Sequence, residues 1–299
     1  MALRIFLVLT LLTASLAAQS RDPLSLATAP SPPGGVRLSY GADPLQFGEL
    51  RLPSTKGPYP LAIVVHGGCW VAKLGDLDVR AVAMDNMRPL AVALTEAGIA
   101  TWNIEYRRLG NDGGGWPGTF RDVASGADFV RTFARERQLD LTRAIAIGHS
   151  AGAHLALWLG ARTKLSKTSE LYTSDPLRLT GVVGLDGPAD LKATLALQQP
   201  VCGAPVITNL LGGTPDEKPQ RYHDAAPIEL LPLGIPHAFY TGQMFAAHAA
   251  PYEAAARKAG DTVESIALPK AGHFVFIDPQ SDVWPQVLKS ARRLLGMSN

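Results

Sequence analysis

A chain of 299 residues that is 46% hydrophobic and 18% charged has the length for one large core and a globular composition, which excludes a disordered or coiled-coil chain. Its formal net charge of +2, with neither an acidic tail nor a basic stripe, selects no partner class. No zinc-type or phosphate-cradling spacing occurs, so nucleic acid, nucleotide, metal and organic cofactor have no support, and a small molecule is the expected partner.

In chain order, the first segment has the three parts of a secretory signal: Arg4, the apolar stretch 5–12, then Ala14, Ser15, Ala17 and Ala18. The apolar stretch is shorter than the roughly 20 residues a spanning helix needs, which argues against a membrane anchor. Residues 1–20 are therefore expected to be a signal peptide, and the protein secreted or periplasmic. In such an oxidising compartment the two cysteines, Cys69 and Cys202, are natural disulfide partners, with two separate buried thiols as the alternative. Residues 21–35, rich in Pro, Ser and Gly, read as a flexible arm without packed structure, followed by one domain over 36–299.

Alternating residues 36–40 and 46–52 predict an antiparallel edge hairpin. The apolar runs 61–65, 100–105, 144–147, 181–185, 237–241 and 263–268 then predict strands, separated by helical patterns such as 121–135, with Val123, Ala127 and Val130 on one side. Strands alternating with helices give an α/β fold with a mainly parallel central sheet and helices on both faces. The Pro- and Gly-broken stretch 198–236 reads as an excursion over the sheet's edge.

Three of these strands end in residues suited to acyl chemistry. His66-Gly67-Gly68-Cys69-Trp70 follows the first parallel strand, where backbone N–H groups of Gly68 and Cys69 can face a developing oxyanion. Gly148-His149-Ser150-Ala151-Gly152 stands between strand 144–147 and a helical pattern. That context projects a serine Oγ above the sheet and turns the Ala151 N–H toward the same oxyanion. Gly272-His273-Phe274 follows strand 263–268 and supplies an imidazole on a loop at the sheet's edge. The other histidines fit the base role less well. His66 belongs to the glycine loop, His149 and His154 are too near Ser150 in sequence to reach back over it, and His223, His237 and His248 lack the post-strand setting. Trp70 and Trp116 are candidate pocket walls, with ordinary packing as the alternative.

Taken together, His66-Gly-Gly-Cys-Trp, Trp102-Asn-Ile-Glu-Tyr-Arg, Gly115-Trp-Pro-Gly-Thr, Gly148-His-Ser-Ala-Gly and Ala271-Gly-His-Phe resemble the α/β-hydrolase superfamily. Within it they resemble the HGG-type esterases and acylamide hydrolases near the kynurenine formamidase and hormone-sensitive-lipase branches. The resemblance implies an α/β-hydrolase fold, hydrolysis of a carboxylic ester or related acyl bond through an acyl-serine, and a chain order of serine, acid, histidine. Such enzymes usually keep the acid in a Gly-x-x-Asp stretch after the strand that ends here at Gly242. This chain reads Gly242-Gln243-Met244-Phe245-Ala246 and has no carboxylate there. Asp186, after strand 181–185, is the candidate replacement, with a local cap on its own turn as the alternative use. Asp190 fits a helix cap better. The missing acid keeps open a weak or inactive hydrolase that binds a small ligand, and an amide or peptide hydrolase of the same fold is a further alternative.

Overall fold

The computed structural model describes residues 21–298. The expected signal segment thus lies outside the described residues. Within them an eight-stranded sheet has the order β1-β2-β4-β3-β5-β6-β7-β8. The strands are β1 (Val36–Ser39), β2 (Phe47–Arg51), β3 (Tyr59–Val65), β4 (Ala100–Ile104), β5 (Leu139–His149), β6 (Gly181–Leu185), β7 (His237–Thr241) and β8 (Val263–Ala267). β1 pairs antiparallel with β2 and β2 with β4, while every later pairing is parallel. This is the α/β-hydrolase arrangement.

The middle strands are covered on both faces: every residue of β4, β6 and β7 is buried, the polar Thr101, Asn103, His237 and Thr241 included. One face is covered by α3 (Gly118–Phe133) and α4 (Ala151–Ala161), which share a core with Leu61, Ile63, Trp102 and Ala146. The other is covered by α2 (Arg88–Glu96) and α9 (Trp284–Leu294), packed with Val64, Ile147 and Val183. α8 (Ala246–Lys258) packs beside β7 and β8.

One stretch differs from expectation, and a second gains detail. The arm 21–35 is not without packing: it carries α1 (Pro23–Ala27), whose Leu26 is fully buried. Asp22 caps this helix by accepting the Leu24 and Ser25 N–H groups at 2.9 Å, Pro23 occupies its first turn, and it packs on two 3-10 turns at Val79–Val82 and Met84–Met87. One buried leucine outweighs the Pro- and Gly-rich flank that dominates the composition. The excursion 198–236 holds the end of α5 (Leu195–Cys202), then α6 (Val206–Leu211) and α7 (Pro219–Ala225). It is pinned to α4 by the Trp158 indole N–H, which donates to the Asp224 carbonyl at 2.9 Å.

Cys69 and Cys202 form a disulfide with Cα atoms 6.0 Å apart, joining the loop after β3 to the end of α5 across 133 residues of sequence. Closing so long a loop in the unfolded chain contributes roughly 2–5 kcal/mol of stability. No helix among the described residues is long and apolar enough to cross a membrane.

Candidate active site

The site forms at the carboxyl ends of β3, β5 and β6, where open parallel sheets present their loops. β5 runs directly into Ser150, whose backbone takes φ 55° and ψ −124°, and α4 begins at the next residue. A non-glycine residue at positive φ is strained, and here neighbouring strands hold it. The Ser150 N–H donates to the Leu185 carbonyl at 2.9 Å, and the Ser150 carbonyl accepts from Ala153 at 2.9 Å. Ala151 is the first residue of α4, so its N–H has no partner within the helix and points out of the helix end.

The loop after β3 lies directly against this elbow. A Cβ on Gly67 would meet the Ser150 Cβ at 2.9 Å and the His149 carbonyl oxygen at 2.7 Å, so no larger residue fits without displacing the serine. Gly68 has φ +105°, a left-handed conformation that glycine adopts without penalty, and a side chain there would meet the Val82 carbonyl oxygen at 2.7 Å. Cys69 and Trp70 also have positive φ, near 53° and 55°. What holds this strained loop is a buried polar cluster beneath it. His66 stacks on Tyr106 with ring centroids 4.2 Å apart; its Nε2 meets Glu105 Oε1 at 2.9 Å and its Nδ1 the Gly67 carbonyl at 2.7 Å. Burial works against the charged Glu105 carboxyl, but the His66 ring, the Arg108 guanidinium and the Tyr106 N–H together hold it at about 2.

His273 follows β8 and opens a 3-10 turn over His273–Ile277. Its Nδ1 lies 2.6 Å from Asp186 Oδ2. The other carboxylate oxygen, Oδ1, accepts the Gly242 N–H at 2.6 Å. Asp186 is fully buried, sits at φ 45°, and spends both oxygens on partners far away in sequence rather than on its own turn. Asp190 does what a cap does, accepting the Lys192 and Ala193 N–H groups at 2.9 and 3.0 Å. At the position where the resembling enzymes hold an acid, this chain supplies a backbone N–H to Asp186, one strand away.

Ser150, Gly68, Cys69 and His273 line one cavity, and Ser150, Cys69, Ala151 and Trp70 line an adjoining one. Trp116 stands elsewhere, against Phe120 at 5.4 Å between centroids, with its indole N–H donating to Glu170 at 2.9 Å. Two residues with functional weight were passed over as bases. His149 Nε2 lies 2.8 Å from the His273 carbonyl oxygen, so it donates there, and its ring lies 4.3 Å from the His273 ring; it anchors the histidine loop. His154 accepts the Trp70 indole N–H at Nδ1 (3.2 Å) and so donates from Nε2 to the Ala225 carbonyl (2.9 Å), tying the β3 loop to α7. Nothing local in the sequence marks either role, because the partners lie 71 to 124 residues away.

Burial lowers His154 to about 4, and burial together with the facing His273 lowers His149 well below the ordinary imidazole range. Both are neutral in the folded protein, whereas the unfolded chain protonates them near pH 6.5. Their contribution is fully present above about pH 6.5 and is lost as pH falls, for His154 toward about 4. The Glu105 contribution has a separate window, below its unfolded value of about 4.5. Urea unfolding from pH 7.5 to 4.5 is expected to show stability falling with pH, by roughly 2–3 kcal/mol for His154 alone. His154→Gln should flatten part of that slope; a pH-independent midpoint would contradict neutral burial.

No curated protein matches the chain. Solved structures show the same fold at low identity. Esterase B from Lactobacillus rhamnosis (HN001) superposes with a TM-score of 0.73 at 19% identity, covering 92% of this chain and 90% of its own. A truncated carbohydrate esterase from gut microbiota gives 0.69 at 20%, covering 87% and 95%. The thermophilic esterase Est2 of the Planctomycetes species Thermogutta terrifontis gives 0.67 at 18%, covering 88% and 94%. The BD-FAE family profile matches residues 49–238, which span the β3 loop, the serine elbow and Asp186. The chain belongs to the BD-FAE family and is an α/β-hydrolase-type serine esterase.

Proposed function

We propose that Ser150 is the nucleophile, His273 the general base and acid, and Asp186 the residue that orients and charges-balances His273. In the acylation step His273 Nε2 takes the Ser150 hydroxyl proton as Oγ bonds the carbonyl carbon. The Nδ1–H stays on the imidazole and is held by Asp186 Oδ2. The negative oxygen that forms is met by the N–H groups of Gly68, Cys69 and Ala151. His273 then returns the proton to the leaving alcohol, and water releases the acyl group by the same route. The observation that carries this reading is the Asp186–His273 bond of 2.6 Å beside a serine at a strained strand-to-helix turn. It also removes the motive for an inactive ligand-binding protein, which rested on the missing acid after Gly242.

A fluorophosphonate probe is expected to label the native protein at a single site mapping to Ser150 by peptide mass analysis. Native protein left unlabelled would leave the ligand-binding reading in its place. We further propose that the finer kinship lies with the HGG-type esterases, on the strength of the His66-Gly67-Gly68 loop, and that the protein is exported. The Cys69–Cys202 disulfide, stable in an oxidising compartment, supports export.

A further inference from the structure

Two cavities meet at Ser150, and their walls share Ser150, Cys69 and Val201. The smaller has a volume of about 30 Å³ and is closed by Trp70, Leu197, Ile207 and Phe245. That is room for roughly two groups the size of a water or methyl. The larger, about 320 Å³, has His273 in its wall. Resting on the roles proposed above, the chemistry assigns the two. His273 must hand its proton to the leaving oxygen, so the alcohol portion belongs in the cavity His273 lines, and the acyl portion belongs in the other.

The larger cavity is walled by Leu74, Leu77, Val82, Met244, Phe274 and, from the N-terminal helix, Pro23. Its remaining polar side chains are Asn86 and His149, whose Oδ1 and Nδ1 make no hydrogen bond but are buried away from the surface, while their other polar atoms are taken inside the protein. Asn86 donates to the Ala81 carbonyl at 2.7 Å, and His149 Nε2 is taken by the His273 carbonyl. A sugar placed here would bury hydroxyls without partners, which costs binding, whereas a hydrocarbon group would be favoured by its own burial. Leu77, 43% exposed, extends the apolar wall to the surface.

We propose that this esterase acts on short-chain acyl esters of bulky apolar alcohols, and that α1 supplies part of the alcohol site through Pro23. Pro23 is thereby part of specificity, although it lies outside the stretch 49–238 that the family profile covers.

The test uses the native protein and a panel of methyl, hexyl and 2-phenylethyl acetates, an acetylated sugar, and p-nitrophenyl acetate and octanoate. Each buried methylene contributes a factor of about four, so kcat/KM for hexyl acetate should exceed that for methyl acetate by at least about tenfold. Octanoate should fall at least about tenfold below acetate in the p-nitrophenyl pair. Leu77→Asp, at an exposed position that tolerates a charge, should cut the hexyl-to-methyl ratio by about tenfold. A flat alcohol profile, a preference for the acetylated sugar, or faster octanoate turnover overturns the inference; fluorophosphonate labelling of Ser150 in the same sample would show that the catalytic reading survives. No labelling and no turnover across the panel overturns both.

Discussion

Replacing Ser150 by alanine is expected to lower kcat on p-nitrophenyl acetate by about 10⁴ to 10⁶ while the protein stays folded. The substitution removes one oxygen at a half-buried position, and the contacts that hold the elbow are made by the backbone. They run from the Ser150 N–H to Leu185 and from the Ser150 carbonyl to Ala153. What remains is the oxyanion site and substrate binding, which in serine proteases sustain a small fraction of the rate. A melting curve unchanged from the native protein establishes that the fold survives. Turnover near the native level in cleanly purified Ser150→Ala protein would end the nucleophile assignment.

Asp186→Asn is expected to lower kcat by about 10³ or more. The carboxylate has two donors to satisfy, the Gly242 N–H at Oδ1 and the His273 Nδ1–H at Oδ2. An amide offers a single acceptor oxygen. Either Gly242 loses its partner inside a fully buried pocket, or the amide N–H faces Nδ1 and holds the imidazole in the tautomer that cannot take the serine proton at Nε2. Asp190→Asn is the control, since asparagine caps as well as aspartate, and its kcat should stay within about twofold of native. A loss below about tenfold for Asp186→Asn, with folding unchanged, would reduce Asp186 to a residue that shapes its turn.

Much of this arrangement was legible in sequence because it is local. β6 is apolar at every position and β7 in its middle, Ala238 to Tyr240, since parallel strands are covered on both sides. Ser150 is announced by glycines two residues to either side and by the helix that follows, and Gly67 and Gly68 by the strand before them. The carboxylate was harder. Asp186 and His273 are 87 residues apart, and the usual position after β7 is empty of acids, so only the proximity of the β6 and β7 ends to the β8 loop brings them together. α1 was missed because composition averages over a window, and one buried leucine is invisible in a Pro-rich average. The tie between His154 and Trp70, and that between His149 and the His273 loop, are written nowhere in periodicity or motif, because they depend on how loops from distant strands settle against one another.

The segment after β7 has a different standing here from the one it holds in enzymes that keep their acid on it. Gly242 offers its N–H to Asp186 where a Cβ would meet the Ala271 carbonyl oxygen at 2.7 Å, and the side chains that follow serve as walls, Met244 in the larger cavity and Phe245 in the smaller. On the proposed assignment, two of the pocket walls thus stand on a stretch that carries none of Ser150, His273 and Asp186. Substitutions at Met244 and Phe245 can redraw both halves of the pocket in single steps, each intermediate keeping Ser150, His273 and Asp186, the groups proposed for the chemistry. For a lineage exposed to changing esters, or for a library built in the laboratory, those two codons are a tuning dial that does not run through a dead enzyme.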